Sequence, residues 1–253
     1  MKFFFDSSEY NNAKLAKEKF IKVYGQTTPE NANIIVPIGG DGFLLKLLHD
    51  LKQFNKPFYG INYGSIGFLM NSKNEEDLEK IISNAQKIEL KPLKMKAKNN
   101  KEEIFLSIAF NEISLMRQTH QAAKISIKIN DIERMNELIC DGVLVSTPAG
   151  STAYNLSISG PILSLNSKKL AITPISPFRP RRWKGKVVSS SSVIKIKNLN
   201  VQKRSVSVVA DNVEVRNIRN VEIKINHLIK FKLLYDKNYS LTKKIKLEQL
   251  RNK

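Results

Sequence analysis

The chain has 253 residues, with 42 Lys and Arg against 23 Asp and Glu, a formal net charge of +19. That length suits one large domain or two modest ones, since domains run roughly 100–200 residues. No stretch approaches the ~18 apolar residues of a membrane-spanning helix, Met1–Asp6 is too short an apolar run for a signal peptide, and a single cysteine, Cys140, excludes an internal disulfide or multi-cysteine metal site, so a cytoplasmic protein is expected.

The positive charge raises the question of a polyanionic partner. The lysines are scattered from Lys14 to Lys244 and form no stripe interleaved with aromatics. They read as solvated faces, with neither a nucleic acid nor a membrane as partner. A phosphate-rich small substrate gains from such a field in either case.

The first 95 residues alternate strand and helix patterns. Lys2–Phe5 reads as a strand. Ser8–Phe20 reads as a helix with Ala13, Leu15, Ala16 and Phe20 as its apolar positions. The apolar run Ile34–Ile38 is a buried strand, and it stops abruptly at Gly39-Gly40-Asp41-Gly42. Glycines there let the backbone turn tightly and let a ligand approach the main chain. A helix starting near Asp41, with Leu44, Leu47, Leu48 and Leu51 on one face, presents unpaired N–H groups that favour phosphate. Asp41 is the odd element, because a carboxylate repels phosphate. It fits a base that takes a proton from a hydroxyl attacking phosphorus. The plainer alternative is an N-cap in an ordinary turn. The loop is not a Walker motif: no Gly-Lys-Ser/Thr follows it.

Pro57–Asn62 reads as the next strand, followed by Gly64-Ser65-Ile66-Gly67-Phe68-Leu69. Glu75–Asn84 reads as a helix opened by Ser72. Alternation of this kind predicts a Rossmann-like parallel sheet covered by helices, with ligands bound beyond the carboxyl ends of the strands. From about residue 96 the period changes to two, as in Lys124–Ile129, Val193–Lys197 and Val221–Ile225, which predicts a β-rich domain. The expected division is 1–95, 96–228 and a basic tail, 229–253, returning to the first domain. No Pro/Gly/Ser-rich linker separates the halves, so a tight interface is expected.

A second dense segment runs from Cys140 to Pro161. The strand Val143–Val145 enters a Pro/Gly turn, and a helix is expected from Ser151 or Thr152. Small hydroxyl groups, exposed backbone and Tyr154 at a helix start suit a nucleoside. Capping and turn chemistry is the structural alternative. Cys140 reads as packing. His49, His120 and His227 are too dispersed in the sequence for a metal site.

Taken in order, Gly39–Gly42, Asn62–Leu69, Asn111-Glu112, Asp141-Gly142, Thr147–Asn155 and Thr173–Pro177 resemble the NAD kinase family, and the resemblance covers nearly the whole chain. The wider superfamily of diacylglycerol and sphingosine kinases shares Gly-Gly-Asp-Gly but not Thr152-Ala153-Tyr154-Asn155. The resemblance implies an α/β first domain, a β-rich second domain and NAD in the cleft between them. It implies transfer of the γ-phosphate of ATP, with Mg2+, to the 2′-hydroxyl of the adenosine ribose. Asp41 would be the base and Gly42 would approach the same ribose. Asn111 and Glu112 would hold ribose and orient phosphates or metal. Thr152, Ala153 and Tyr154 would contact the adenine and its ribose, with Ala149 offering only backbone to the adenine and Asn155 and Leu156 among the NAD-binding residues, and Ser157 and Asp141 would reach the nicotinamide end, Asp141 from the same or a neighbouring subunit. A homodimer or homotetramer is implied.

Three departures stand out. Phe43 follows the motif where many members have Thr, Ala149 stands where many have Ser or Thr, and Phe178–Trp183 replaces a common histidine with a basic segment suited to a phosphate or a subunit contact. Asp211-Asn212 stands where many members have Asp-Gly. Two other readings compete: a lipid kinase of the same superfamily, and a non-catalytic basic nucleic-acid binder. Asp41 argues against the second, because a binder gains nothing from an acid beside phosphate.

Overall fold

The computed structural model describes residues 1–73, 77–238, 240 and 243–245. Contacts divide the chain into two compact units, residues 91–229 and the remainder.

In the first unit the strands follow the spatial order Phe3–Ser7, Ile34–Gly39, Pro57–Phe58, Phe231–Tyr235 and Gln86–Leu90. The first four run parallel and the last is antiparallel. Every residue of Ile34–Gly39 is buried, as expected for a central parallel strand covered on both faces. The strand expected over Pro57–Asn62 is split into Pro57–Phe58 and Ile61–Asn62. Ile35 pairs with Phe58 and Ile38 with Ile61, so Pro37, which has no N–H, faces the break. At that break Met70 packs so closely on Gly60 that a Cβ there would lie 2.5 Å from its sulfur.

The first helix is Asn11–Tyr24, three residues later at its start than Ser8. It ends at Gly25, whose φ of 75° leaves the helical range. Leu15, expected on the buried face, is 66% exposed; Ala13 and Ala16 carry that face. The second helix, Asp41–Asp50, buries Leu44, Leu47 and Leu48, and Leu51 is its C-cap. The third is Leu78–Ser83, capped by Asp77 rather than opened by Ser72. The Asp77 carboxylate accepts from Glu79 and Lys80 N–H. Residues 75 and 76 of the expected helix lie outside the described residues.

The second unit carries two six-stranded antiparallel sheets. One has the order Ile132–Cys140, Ala123–Ile129, Ile194–Asn198, Ile218–Ile225, Leu93–Asn99, Ile104–Ala109. The other has Lys186–Ser189, Lys169–Ile175, Gly142–Ser146, Glu112–Arg117, Val206–Ala210, Val213–Val215. Inward residues of both, such as Met95, Ile127 and Ile223 from one and Leu115, Val143 and Val208 from the other, form one apolar core. Alternation puts Lys94 and Lys96 outside and Leu93, Met95 and Ala97 inside. An α/β region with a parallel sheet and a β-rich region therefore agree with the fold class expected from the sequence. No helix among the described residues is long and apolar enough to cross a membrane.

Candidate active site

The Asp41 loop is built by a second loop laid against it. Tyr63 and Gly64 N–H both donate to Gly39 O, at 2.7 and 3.2 Å. A Cβ on Gly64 would stand 3.0 Å from Gly40 Cα, so the two backbones touch without side chains between them. Asn62 shapes the second loop: its amide donates to Ile66 O at 2.9 Å and its Oδ1 accepts from Gly64 N–H at 3.0 Å. Gly67 then takes φ +66°, with the Asn62 side chain where a Cβ would go.

That geometry aims two successive N–H groups at one carboxylate. Phe68 N–H donates to Asp41 Oδ2 and Leu69 N–H to Oδ1, each at 2.8 Å. Asp41 is the first residue of its helix, after Gly40 at the cap position, and makes no side-chain cap bond. The plain N-cap alternative therefore does not describe it. Burial pushes its pKa up, while the two N–H bonds and the nearby Lys244 charge pull it down. Each oxygen keeps a lone pair for a proton. Gly42 is exposed, and nothing lies within 4 Å of where its Cβ would be.

In the second unit a carboxylate grips another pair of N–H groups. Asp211 accepts from Phe110 at 2.7 Å and Asn111 at 3.0 Å, and its own N–H donates to Glu112 O at 3.2 Å. Asp211 sits at φ +50° in the two-residue turn between Val206–Ala210 and Val213–Val215, a conformation Asp and Asn tolerate. The strand end Asn111–Glu112 is thereby held from one side. From the other side Thr147 N–H donates to Asn111 O at 2.9 Å and Thr147 Oγ1 to Phe110 O at 2.6 Å. A Cβ on Gly150 would lie 2.2 Å from Asn111 O, so the Gly150 turn has to be glycine.

Two oxygens at this junction are buried without a hydrogen-bond partner among the described residues: Asn111 Oδ1 and Glu112 Oε2. Burial, and secondarily the Asp211 charge, push the Glu112 pKa up to about 7. An orphaned buried acceptor costs roughly 1–3 kcal/mol.

The Thr147–Ser157 segment is not one helix. Gly150–Thr152 makes a single 3-10 turn, and a short helix follows at Tyr154–Ser157. Ala149 and Thr152 are buried, Ala153, Tyr154 and Leu156 are partly exposed, and Ser157 is exposed. Tyr154 OH contacts Met116 sulfur at 3.8 Å. Asn155 turns inward. Its amide donates to Ser151 O at 3.2 Å and Pro161 O at 3.0 Å, and its Oδ1 accepts from Thr173 Oγ1 at 2.7 Å. Its side chain pins the segment and is spent on the protein itself.

Asp141 pairs with Arg117, Nε to Oδ1 at 2.6 Å, with both side chains about a third exposed. Glu112 is opposite Ser146, and Met116 opposite Gly142. Glu112 and Asp141, which lies one residue beyond Gly142 and opposite Arg117, thus mark opposite ends of two neighbouring strands, five residues or roughly 16 Å apart at ~3.3 Å per residue. Tyr154 lies on Met116, toward the Asp141 end. Arg179 and Arg181 flank the Phe178 ring at 5.5 and 5.6 Å. Cys140 is buried, and its thiol is pushed up to about 12, mainly by desolvation, so it is not a nucleophile. No group of three or more His, Cys, Asp or Glu side chains among the described residues is gathered for a metal.

Within the second unit the structure brings Asn111, Glu112, Ala149 and Thr152 together and sets Asp141 apart. Sequence reasoning missed Asn62, Thr147 and Lys244 as builders of these loops, and left Asp211 without a role. The Asp-Asn pair between two β patterns was a hairpin signal for the last of these.

The sequence and fold were compared with known proteins. The ATP-NAD kinase C-terminal domain profile matches residues 110–234. The NAD kinase of Caulobacter vibrioides is 44% identical over 97% of this chain and 94% of its own length. That of Rickettsia rickettsii is 48% identical over 92% of this chain and 91% of its own. In structure the chain is similar to yeast NADH kinase complexed with NADH, at a TM-score of 0.77 and 19% identity over 100% of this chain and 87% of that one. An NAD kinase from Archaeoglobus fulgidus in complex with ATP gives 0.76 and 24%, with both chains covered in full.

Proposed function

This chain belongs to the NAD kinase family, and from that premise we propose how its own residues transfer the γ-phosphate of ATP to the 2′-hydroxyl of the adenosine ribose of NAD. Asp41 is the base. Its carboxylate is fixed by the Phe68 and Leu69 N–H groups, and its free lone pairs accept the hydroxyl proton. As that proton leaves, the ribose oxygen bonds to the γ-phosphorus, the bond from phosphorus to the bridging oxygen breaks, and ADP departs. Gly42, with open space where a side chain would stand, leaves room for the sugar.

The single observation that carries this reading in the second unit is the pair of orphaned acceptors, Asn111 Oδ1 and Glu112 Oε2. Ribose hydroxyls are donors of the right kind. Ala149, Thr152, Ala153 and Tyr154 line the adenine half, with Leu156 beside them and Asn155 holding the segment in place. Ser157 and Asp141 serve the nicotinamide half, Asp141 standing at the far end of the strands from Glu112.

Mg2+ arrives with ATP in this reading. Glu112, with an oxygen unpartnered among the described residues, is the carboxylate that would hold it. An ion held there would supply charge neutralisation to the transferring group. A cytoplasmic location and a homodimer or homotetramer complete the proposal, the latter checked by native mass.

The test is incubation of purified protein with NAD, ATP and Mg2+, with NADP read by a coupled dehydrogenase. NADP formation is expected, and its absence from folded protein overturns the reading. A parallel reaction with polyphosphate in place of ATP defines the donor.

A further inference from the structure

The loop that holds Asp41 is itself held, from its far side, by a lysine that comes from the other end of the sequence. Lys244 Nζ donates to Gly67 O and to Met70 O. These carbonyls bracket the two residues whose N–H groups grip the Asp41 carboxylate. The connection is closer than adjacency. Gly67 C=O and Phe68 N–H are the two ends of one peptide group. An ammonium sits on its oxygen and a carboxylate on its hydrogen, so the planar amide is polarised in one direction by both.

Other contacts fix this arrangement. Asn71, next in the chain, is buried, and its amide donates to Gly60 O at 3.2 Å and Leu234 O at 2.9 Å. Asp236 N–H donates back to Asn71 Oδ1 at 3.0 Å. The end of the strand Phe231–Tyr235 is thereby tied to the same loop. The Asp236 carboxylate accepts from Tyr59 OH at 2.6 Å.

We propose that Lys244 is a positioning residue for the phosphotransfer base: through the Gly67–Phe68 peptide and its own charge it keeps the Asp41 carboxylate ionised and aimed. The inference rests on the reading of Asp41 as base. The charged groups around it are consistent in sign. Lys244 acts on Asp41, and Asp236 as well as Asp41 acts on Lys244. Burial works against the lysine charge, and both carboxylates work for it. Lys244 is committed to two carbonyls of its own chain, which separates it from a lysine kept free for phosphate.

The test is the pH dependence of kcat in Lys244→Met, Lys244→Arg and the parent. A neutral side chain at 244 raises the proton affinity of Asp41, so the acidic limb moves to higher pH. On that limb kcat is expected to fall roughly tenfold, while the alkaline plateau and NAD binding are retained. Lys244→Arg keeps the charge and is expected to follow the parent limb. A purely structural lysine would instead scale kcat uniformly at every pH, and superimposable limbs overturn the proposal. If Lys244→Met does not fold, Lys244→Gln keeps a donor for the two carbonyls without the charge and carries the same comparison. Asp41→Asn run in parallel separates the two levels. Normal turnover in that variant removes the base reading, and this inference with it. An inactive Asp41→Asn with an unshifted Lys244→Met limb removes only the role of the lysine.

Discussion

Asp41 and Asp211 are held in the same way and left in different states. Each carboxylate takes two successive backbone N–H groups, Phe68 and Leu69 in one case, Phe110 and Asn111 in the other. At Asp41 the grip fixes the group proposed to react. At Asp211 it fixes a neighbour: Asn111 Oδ1 and, next to it, Glu112 Oε2 have no hydrogen-bond partner among the described residues. In the proposed reading, one region is preorganised for a proton transfer and the other offers unmet hydrogen-bonding capacity to a ligand. A kinase for a dinucleotide needs both, because orientation lowers the barrier and binding energy holds the sugar where orientation counts.

The most severe way to break the comparison is Asp41→Asn. It keeps the size of the group and removes the base, so turnover should drop roughly 10²–10⁴-fold, with NAD binding by equilibrium titration nearly intact. Turnover near the parent level would show that the gripped carboxylate is not the base. Next come two glycines of the first unit, Gly67 and Gly42. Gly67→Ala puts a Cβ 2.5 Å from the Asn62 amide carbon at φ +66°. We expect a loss of about 1–3 kcal/mol in stability and a fall in kcat, because the N–H pair on Asp41 shifts. Gly42→Ala meets nothing in the protein, so its melting temperature should match the parent while KM for NAD rises. A lowered melting temperature in Gly42→Ala would show that the open space serves the fold.

The second region is sharpened by pH. Glu112 ionises near 7 in the folded protein against 4.5 as its ordinary value. Folding therefore favours its protonated form, and its contribution is fully present below about pH 4.5 and is lost as pH rises through about 7. The difference is of the order of 3 kcal/mol. Glu112→Gln should gain on the parent in thermal melts between pH 4.5 and 8, and parallel curves would show that Glu112 is not strained by burial. Saturating NAD should narrow the same gap, since it supplies the missing donor. The smallest effect belongs to Asp141→Asn. Its pairing with Arg117 is partly exposed, so stability should change by less than about 1 kcal/mol, with a modest rise in KM for NAD and kcat retained. A collapse of kcat would move Asp141 into the chemistry.

Much of the first region was legible in the sequence because its signals are local. An apolar run that ends in glycines, then an acid, then leucines at helical spacing can be read without knowing what packs on it. What could not be read is long-range. Nothing in Asn62, Asn71 or Lys244 announces that they meet across a loop, and Asn155 looks like a ligand contact until Thr173 and Pro161 are placed against it. The strand expected over Pro57–Asn62 failed for a similar reason, since Pro37 and Met70 interrupt it from elsewhere in the chain. The orphaned oxygens of Asn111 and Glu112 were invisible because an unmet bond is a property of surroundings. Period-two alternation revealed the β-rich half but not which strands neighbour each other.

The strand Phe231–Tyr235 lies inside the first sheet, between Pro57–Phe58 and Gln86–Leu90. During synthesis, then, the amino-terminal half leaves the ribosome with a gap in its sheet, and Gln86–Leu90 has no place to pair. The β-rich unit, whose residues are contiguous, is free to form before that gap is filled. A chain cut short near residue 229 would carry an intact motif and a sheet lacking the strand between Pro57–Phe58 and Gln86–Leu90.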